Sequence, residues 1–323
     1  MGTGPREPME SGFGITVVRH SDAGPGSGRQ SIHLTGCFTE RYTRRTPTGT
    51  KPIRGTANAK ARTVPADTSL LDAILAPGRL SVVFQPIFEV EDGPRLFGVE
   101  CLIRGPLGTN AERPAVLFEY VRRKRAEAVT DRACLAAILP EAATLPGAPR
   151  LSLNVHACTL GRDPAFPDFL LDRAAEAGVA PSRLVVEIVE HAPPLDVPGF
   201  RRALAELREA GVAIALDDVG LGQSNYKMIL DVRPDIYKLD RYLVAGALDD
   251  PYRQIILDSL ARMVRRLEAR TVAEGVEEPE ELVAVESAGI DLVQGFLLAH
   301  PLPAIELSES GFLAGRVPAY RFP

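Results

Sequence analysis

From about Asp67 onward, short apolar runs recur along this chain, and segments of helical spacing separate them. The runs occupy residues 81–84, 96–102, 151–155, 184–188, 212–216, 236–239, 271–273 and 292–298. Phe200, Leu204 and Leu207 recur at helical spacing, and Gly211 stands where a capping glycine would end that helix. Ile256, Leu260, Met263, Val264 and Leu267 mark a further helix, with basic residues on its other face. Eight strands alternating with helices over about 250 residues form the pattern of an α/β (β/α)8 barrel. On pattern alone, a doubly wound open sheet is the alternative. Its dinucleotide-binding form needs a G-x-G-x-x-G loop after the first strand, and none is there.

The pattern leaves the first part of the chain unexplained. Residues 1–66 hold ten basic and four acidic residues, against 27 and 38 in the remainder. This segment is rich in Gly, Pro, Ser, Thr and Arg, with one short apolar stretch at 13–18. Such a composition buries too little surface to offset chain entropy. It reads as a disordered or loosely ordered basic arm, a solvated tail in preference to a nucleic-acid or lipid anchor. Residues 67–323 read as the folded domain. The whole chain has a net charge of -5 and no Trp, so neither electrostatics nor base stacking favours a nucleic-acid polymer as partner.

Cys37, Cys101, Cys134 and Cys158 form no C-x-x-C pair, and their spacing fits buried reduced thiols. No apolar run approaches the roughly 18 residues of a membrane span. The N-terminus lacks the apolar core of a signal peptide. The expectation is a cytoplasmic protein without a membrane span.

Function is written where the runs end. They lead into Glu100, Asn154, Glu187 with Glu190, Asp217 with Asp218, Lys238 with Asp240, Glu274 with Glu277, and Gln294. One carboxylate after a strand is ordinary, because helix N-caps supply many. Here seven of eight runs end in a carboxylate, carboxamide or ammonium. In a barrel these ends converge on the face where active sites sit. Carboxylates gathered there repel one another unless cations neutralise them. All the candidate donors are oxygens, which suit Mg²⁺, Mn²⁺ or Ca²⁺ rather than zinc. Adjacent Asp217 and Asp218 can serve two cations roughly 3.5–4 Å apart, the clamp used for in-line attack on phosphorus. A lysine beside them can orient the attacking water, or take its proton if its pKa is lowered. The residues alone point to metal-dependent phosphoester hydrolysis.

The same segments resemble the EAL domain family of bacterial cyclic-di-GMP phosphodiesterases. The signature appears as Glu100-Cys101-Leu102, flanked by Phe84-Gln85-Pro86-Ile87 and Leu102-Ile103-Arg104. Leu153-Asn154-Val155, Glu187-Ile188-Val189-Glu190, Asp217-Asp218-Val219-Gly220 and Lys238-Leu239-Asp240-Arg241 continue it in order. Ala273-Glu274-Gly275-Val276-Glu277 and Gln294-Gly295-Phe296 complete it, so the resemblance covers about residues 70–305. It implies a modified (β/α)8 barrel with one antiparallel strand, and opening of cyclic-di-GMP to linear pGpG with two Mg²⁺ or Mn²⁺ ions. It further implies that Glu100, Asn154, Glu187 and Asp217 hold one ion, and that Asp217, Asp218 and Glu274 serve the second. Lys238 would position or deprotonate the attacking water. Gln294 and Glu277 would support the site, and Gln85 and Arg104 would contact substrate. A guanidinium fork such as that of Arg104 matches phosphate oxygens.

Two departures from the family pattern stand out. Cys101 replaces Ala, and its side chain should point away from Glu100 because strand neighbours face opposite sides. The loop at 219–225 keeps both glycines, Gly220 and Gly222, but has Val219, Leu221, Gln223 and Asn225 where the family usually has Phe, a small residue, Tyr and Ser. In the family this loop couples the metal site to dimerisation, and Glu190 matches the glutamate that anchors it. A homodimer is therefore implied. An altered loop keeps a second reading open, a weak or inactive domain acting as a cyclic-di-GMP receptor or protein-interaction module. Action on another phosphodiester is a third. No sensor or cyclase segment is recognisable, so regulation is expected from expression, dimerisation or a regulatory protein partner.

Overall fold

The computed structural model describes residues 69–90, 95–189, 196–220 and 225–314. The arm assigned to 1–66, the core of the altered loop and Glu190 lie outside the described residues.

Each apolar run supplies one strand: β1 (Ser81–Glu89), β2 (Arg95–Arg104), β3 (Arg150–His156), β4 (Leu184–Val189), β5 (Ala213–Val219), β6 (Ile236–Leu239), β7 (Arg270–Ala273) and β8 (Leu292–Val293). They close into a barrel in sequence order. β1 runs antiparallel to both of its neighbours, β2 and β8, while β2 to β8 run parallel. The barrel with one reversed strand is thus the architecture of the chain. β8 is much shorter than its apolar run. After Val293 the chain folds over β7, with Gln294 N donating to Ala273 O at 2.9 Å and Leu297 N donating to Val276 O at 3.0 Å. A Cβ on Gly295 would lie 2.0 Å from the Val276 carbonyl oxygen, so that crossing requires glycine.

Alternation of side chains builds the barrel interior in layers. Ile87, Val185, Ala215, Ile236, Val272 and Leu292 form an apolar inner cluster. Two residues onward on each parallel strand stand Glu187, Asp217, Lys238, Glu274 and Gln294. On reversed β1 the step is backward, from Ile87 to Gln85. On these strands the inward position below is apolar and the next one up is polar, while on β3 both Ser152 and Asn154 are polar, which puts the charges at one end of the barrel. The outward-facing residues, Cys101 among them, join the main core beneath the helices.

Below the apolar layer the β1–β2 register skips one residue, pairing Ile87 with Gly98 and Phe88 with Leu96. The unpaired residue is Phe97, a β-bulge that packs its ring against the inner cluster. The guanidinium carbons of Arg150 and Arg270 each lie 4.8 Å from its centroid.

The helix expected around Phe200 spans Val197–Glu209 and buries Phe200, Ala203, Leu204 and Leu207. Asp196 caps its start by accepting from Gly199 N. It ends in a Schellman pair, with Gly211 at φ 90° and Val212 N donating to Leu207 O at 3.0 Å. The helix Pro251–Arg266 matches the stripe the spacing suggests in part. Leu257, Ala261 and Val264 are buried and Leu260 and Met263 pack against the same core, while Ile256 and Leu267 are exposed. The spacing misses Leu257 and wrongly includes Ile256 because this helix carries apolar residues on both sides. Replacing Leu257 by Ala should therefore cost about 2–5 kcal/mol, and Ile256→Ala less than about 1 kcal/mol. Denaturant unfolding of both variants checks this, and equal costs would contradict the assigned face.

Candidate functional site

Lys238, on β6, projects from the polar layer and is 2% exposed. Its Nζ lies 2.5 Å from Glu187 Oε1, 2.7 Å from Glu274 Oε1, 3.4 Å from Glu100 Oε2 and 3.7 Å from Asp217 Oδ1. These residues come from β2, β4, β5, β6 and the end of β7, so closure of the barrel is what assembles the set. Donors fix the carboxylates further. Asn154 Nδ2 donates to Glu100 Oε1 at 2.9 Å, and Gln294 Nε2 donates to Glu100 Oε2 at 2.7 Å. Gln294 Nε2 also reaches Gln85 Oε1 at 3.1 Å, and Gln85 Nε2 donates to Ala299 O at 3.2 Å.

Asp217 and Asp218 should face opposite sides of a regular strand. The β5–β6 register shifts between Leu216 and Val219, and Asp218 adopts φ 52°, a left-handed conformation rare outside glycine. The irregularity brings both aspartates to one site. Asp217, Asp218 and Glu274 each offer an oxygen within 4.8 Å of the others. Strained backbone of this kind persists where surrounding structure holds it, typically at functional sites.

Most other expected site residues gather here. A cavity of about 570 Å³ opens beside Glu100, Asn154 and Asp217 and is lined also by Arg104, Phe118, Glu119, Arg122 and His156. Arg104 donates to the Ile103 carbonyl oxygen at 3.0 Å. Glu277 stands apart. It pairs with Arg241, a residue that also donates to the Gly275 carbonyl oxygen. Asp240 caps the short helix after β6 by accepting from Tyr242 N.

Two contributors were not singled out from the sequence. Ser152, one inward step before Asn154, donates to Glu187 Oε2 at 2.8 Å. Asp131 meets the end of β3 from the helix Glu127–Ala142. Ser152 follows from the period-two alternation of β3, whereas nothing in the sequence pairs Asp131 with residue 156.

Charge is unbalanced at this end of the barrel. One ammonium faces Glu100, Glu187, Asp217 and Glu274, with Asp218 beside Asp217. Burial, opposed by Lys238 and reinforced by neighbouring carboxylates, pushes Glu187 up to about 8. Burial and Asp217 raise Asp218 to about 6, and Glu274 rises well above its ordinary range for the same kinds of reason. Glu100 is buried as well, but Lys238 and its amide donors outweigh desolvation and hold it low. Burial opposes the charge on Lys238, yet the surrounding carboxylates raise its pKa well above the usual lysine value. Without cations, these carboxylates hold Lys238 charged. Burial and the charges of Glu100 and Glu187 raise the Cys101 thiol, leaving it protonated and unreactive.

The donor set suits a hard divalent cation. It is all oxygen, it carries more negative than positive charge, and Gln294 Oε1 is buried without a hydrogen-bond partner. The family model for the EAL domain matches residues 67–301. The chain belongs to the EAL domain family. Over 256 residues this EAL chain is 30% identical to the cyclic di-GMP phosphodiesterase NbdA of Pseudomonas aeruginosa, covering 77% of this chain and 31% of that protein. The cyclic di-GMP phosphodiesterase PA2567 of the same organism is 27% identical over 248 residues, covering 75% of this chain and 42% of that one. The EAL chain spans about a third of the length of the curated relatives it matches. Among solved structures, the calcium and cyclic di-GMP complex of Klebsiella pneumoniae BlrP1 superposes with a TM-score of 0.62 at 31% identity, covering 69% of this chain and 56% of that chain. BlrP1 has also been solved with manganese and cyclic di-GMP. An EAL domain protein of Listeria monocytogenes, 24% identical, shares the fold with a TM-score of 0.65 over 76% of this chain and 98% of its own. Among the described residues of this EAL chain, no helix is long and apolar enough to cross a membrane.

Without added cations, Glu187, Glu274 and Asp218 keep protons in the folded protein that they lose on unfolding near neutral pH. The folded state then binds more protons than the unfolded state, and stability falls as pH rises. His156 adds the same sign. Burial lowers its pKa, but Asp131 outweighs that and leaves it raised. In EDTA, the denaturation midpoint should decline between about pH 5 and pH 8. A midpoint that rises through that range would contradict the assigned charge imbalance.

Proposed function

We propose that this chain hydrolyses cyclic di-GMP to linear pGpG using two divalent cations, Mg²⁺ or Mn²⁺. The carrying observation is the single ammonium of Lys238 set among four carboxylates at the edge of a cavity that contains a half-buried arginine. The names of its EAL relatives and the cyclic di-GMP complexes of BlrP1 support the choice of substrate. Glu100, Asn154, Glu187 and Asp217 would hold one cation, and Asp217, Asp218 and Glu274 the other. Paired divalent cations acidify water and draw charge from phosphoryl oxygens.

The chain's own side chains do the rest. Asn154 gives its amide nitrogen to Glu100, which leaves Oδ1 for a cation. Lys238, held charged, aligns Glu187 and Glu274 and orients the attacking water. Gln85 and Gln294 keep Glu100 in register, Arg104 would contact the substrate phosphate from the cavity wall, and Glu277 would support the site as its motif implies. Glu190 anchors the loop after β5, as its place in the family motif implies.

Incubation with cyclic di-GMP should give pGpG with Mg²⁺ or Mn²⁺ and none in EDTA, read by chromatography. Glu100→Ala and Lys238→Ala should each slow turnover at least about a hundredfold, and Lys238→Ala should also lower the unfolding midpoint because it leaves buried carboxylates unpaired. Near-normal turnover in either variant would contradict these assignments. No product with retained dinucleotide binding would favour a receptor, and loss of both a protein-interaction module.

We further propose that two copies pair through the helices that follow β5 and β6. Tyr226, Leu230, Tyr252 and Ile255 expose 74%, 73%, 81% and 64% of their surface there. Tyr226 and Leu230 lie on Asn225–Val232 and Tyr252 and Ile255 on Pro251–Arg266, and exposed large apolar side chains of this kind suit a protein-protein contact. Tyr252→Glu combined with Ile255→Glu should convert a dimer to a monomer by light scattering on a sizing column. A wild-type protein that elutes as a monomer at tens of micromolar would end this proposal.

A further inference from the structure

Asp131 is a buried carboxylate with three hydrogen-bond partners that the reaction itself does not require. It is 2% exposed and sits on the helix Glu127–Ala142. Its two oxygens accept three hydrogen bonds from one short stretch of chain. His156 N donates to Oδ2 at 3.0 Å, Thr159 Oγ1 donates to Oδ2 at 2.6 Å, and His156 Nδ1 lies 2.7 Å from Oδ1. Both donor residues belong to the turn where β3 ends and the helix Ala157–Arg162 begins.

That turn follows Asn154 by two residues on the same face of the strand. Asn154, Asp131 and His156 line the same cavity, and Asn154 gives its amide nitrogen to Glu100. Without Asp131, a buried backbone N–H, a hydroxyl and an imidazole would all lose their acceptor. The end of β3 would then be held on this side only by its pairing with β4, and Asn154 would be placed less firmly.

We propose that Asp131 is a positioning residue for the cation site: it clamps the end of β3 so that the Asn154 amide holds Glu100 with its nitrogen and presents its oxygen to a cation. The proposal rests on the reading of Asn154 as a cation ligand. Groups bonded directly to a metal ligand are worth about ten- to a hundredfold in affinity, and Asp131, which acts through the backbone of the β3 end, should fall at the low end of that range. An Asn at 131 offers one acceptor oxygen in place of two, and its amide nitrogen is a donor set against donors.

The test is calorimetric titration of Mn²⁺ into the full chain without dinucleotide, so that turnover is not the readout. Asp131→Asn should weaken Mn²⁺ binding at least about tenfold. In an Asn154→Ala background the same change should weaken it no further, because a residue acting through Asn154 loses its effect when Asn154 is absent. Equal affinity in Asp131→Asn and wild type, or full additivity with Asn154→Ala, would overturn the proposal alone. A wild-type chain that takes up no Mn²⁺ would overturn it together with the cation reading, which keeps the two failures distinct. Should Asp131→Asn not fold, Thr159→Val removes one donor with little change of shape. It should weaken Mn²⁺ binding severalfold, and wild-type affinity there would overturn the proposal.

Discussion

A single buried ammonium holds the functional end of this barrel together. Lys238 stands on an apolar floor made by Ile87, Val185, Ala215, Ile236, Val272 and Leu292, where little water is available to screen charge. In such surroundings an isolated charge carries a desolvation cost of several kcal/mol. Lys238 is tolerable because carboxylates converge on it from four neighbouring elements, and they are tolerable because of it. The balance is incomplete, since the carboxylates outnumber the lysine. Protons make up the difference on Glu187 and Glu274, and divalent cations can replace those protons.

The step of two residues that separates the apolar floor from the polar layer is the rule of strand alternation, applied around a closed sheet. Its exceptions are where the sheet bends. At Phe97 an unpaired residue gives the floor an aromatic plug flanked by two guanidiniums. At Asp217 and Asp218 a register shift puts two consecutive carboxylates on one site, which regular alternation forbids. Reversal of β1 changes the direction of the step and not its outcome, so Gln85 still reaches Gln294 from the opposite chain direction.

This logic explains what could be read from the chain. Strands, their order and the polar residue after each one were legible, because alternation is local and the donors follow their runs directly. Glu100, Asn154, Glu187, Asp217, Lys238, Glu274, Gln85 and Gln294 accordingly lie together. The buried face of Pro251–Arg266 was legible at Leu260, Met263 and Val264 but not at Leu257, because apolar residues on both sides of a helix give the spacing two solutions. The length of β8 was not legible either, since its apolar run continues into a turn that hydrogen bonds to β7 define. Asp131 was hidden for another reason. Its partners lie 25 and 28 residues away, and an acidic residue within a helix carries no local sign of what it will meet. A role for Lys238 as a base could not be tested on residue types alone. The four carboxylates around it raise its pKa, and cations bound to those carboxylates would work in the opposite direction.

Glu100 and Glu187 show how one buried cluster can be both preformed and responsive. They share the same lysine, yet their acidities move in opposite directions. Glu100 receives Asn154 and Gln294 in addition to Lys238, so three donors support its charge. Glu187 receives Ser152 and Lys238, while its carboxylate neighbours repel the charge it would carry. Two carboxyl groups whose surroundings separate their acidities take different roles. Glu100 is the permanent anion, ionised and aligned before any cation arrives. In the proposed cation site Glu187 would ionise as positive charge enters, giving up its proton to the same event that binds the cation. Cation affinity would then rise with pH across the range where Glu187 titrates, and the lysine would need no change of its own charge for the site to switch from proton-filled to cation-filled.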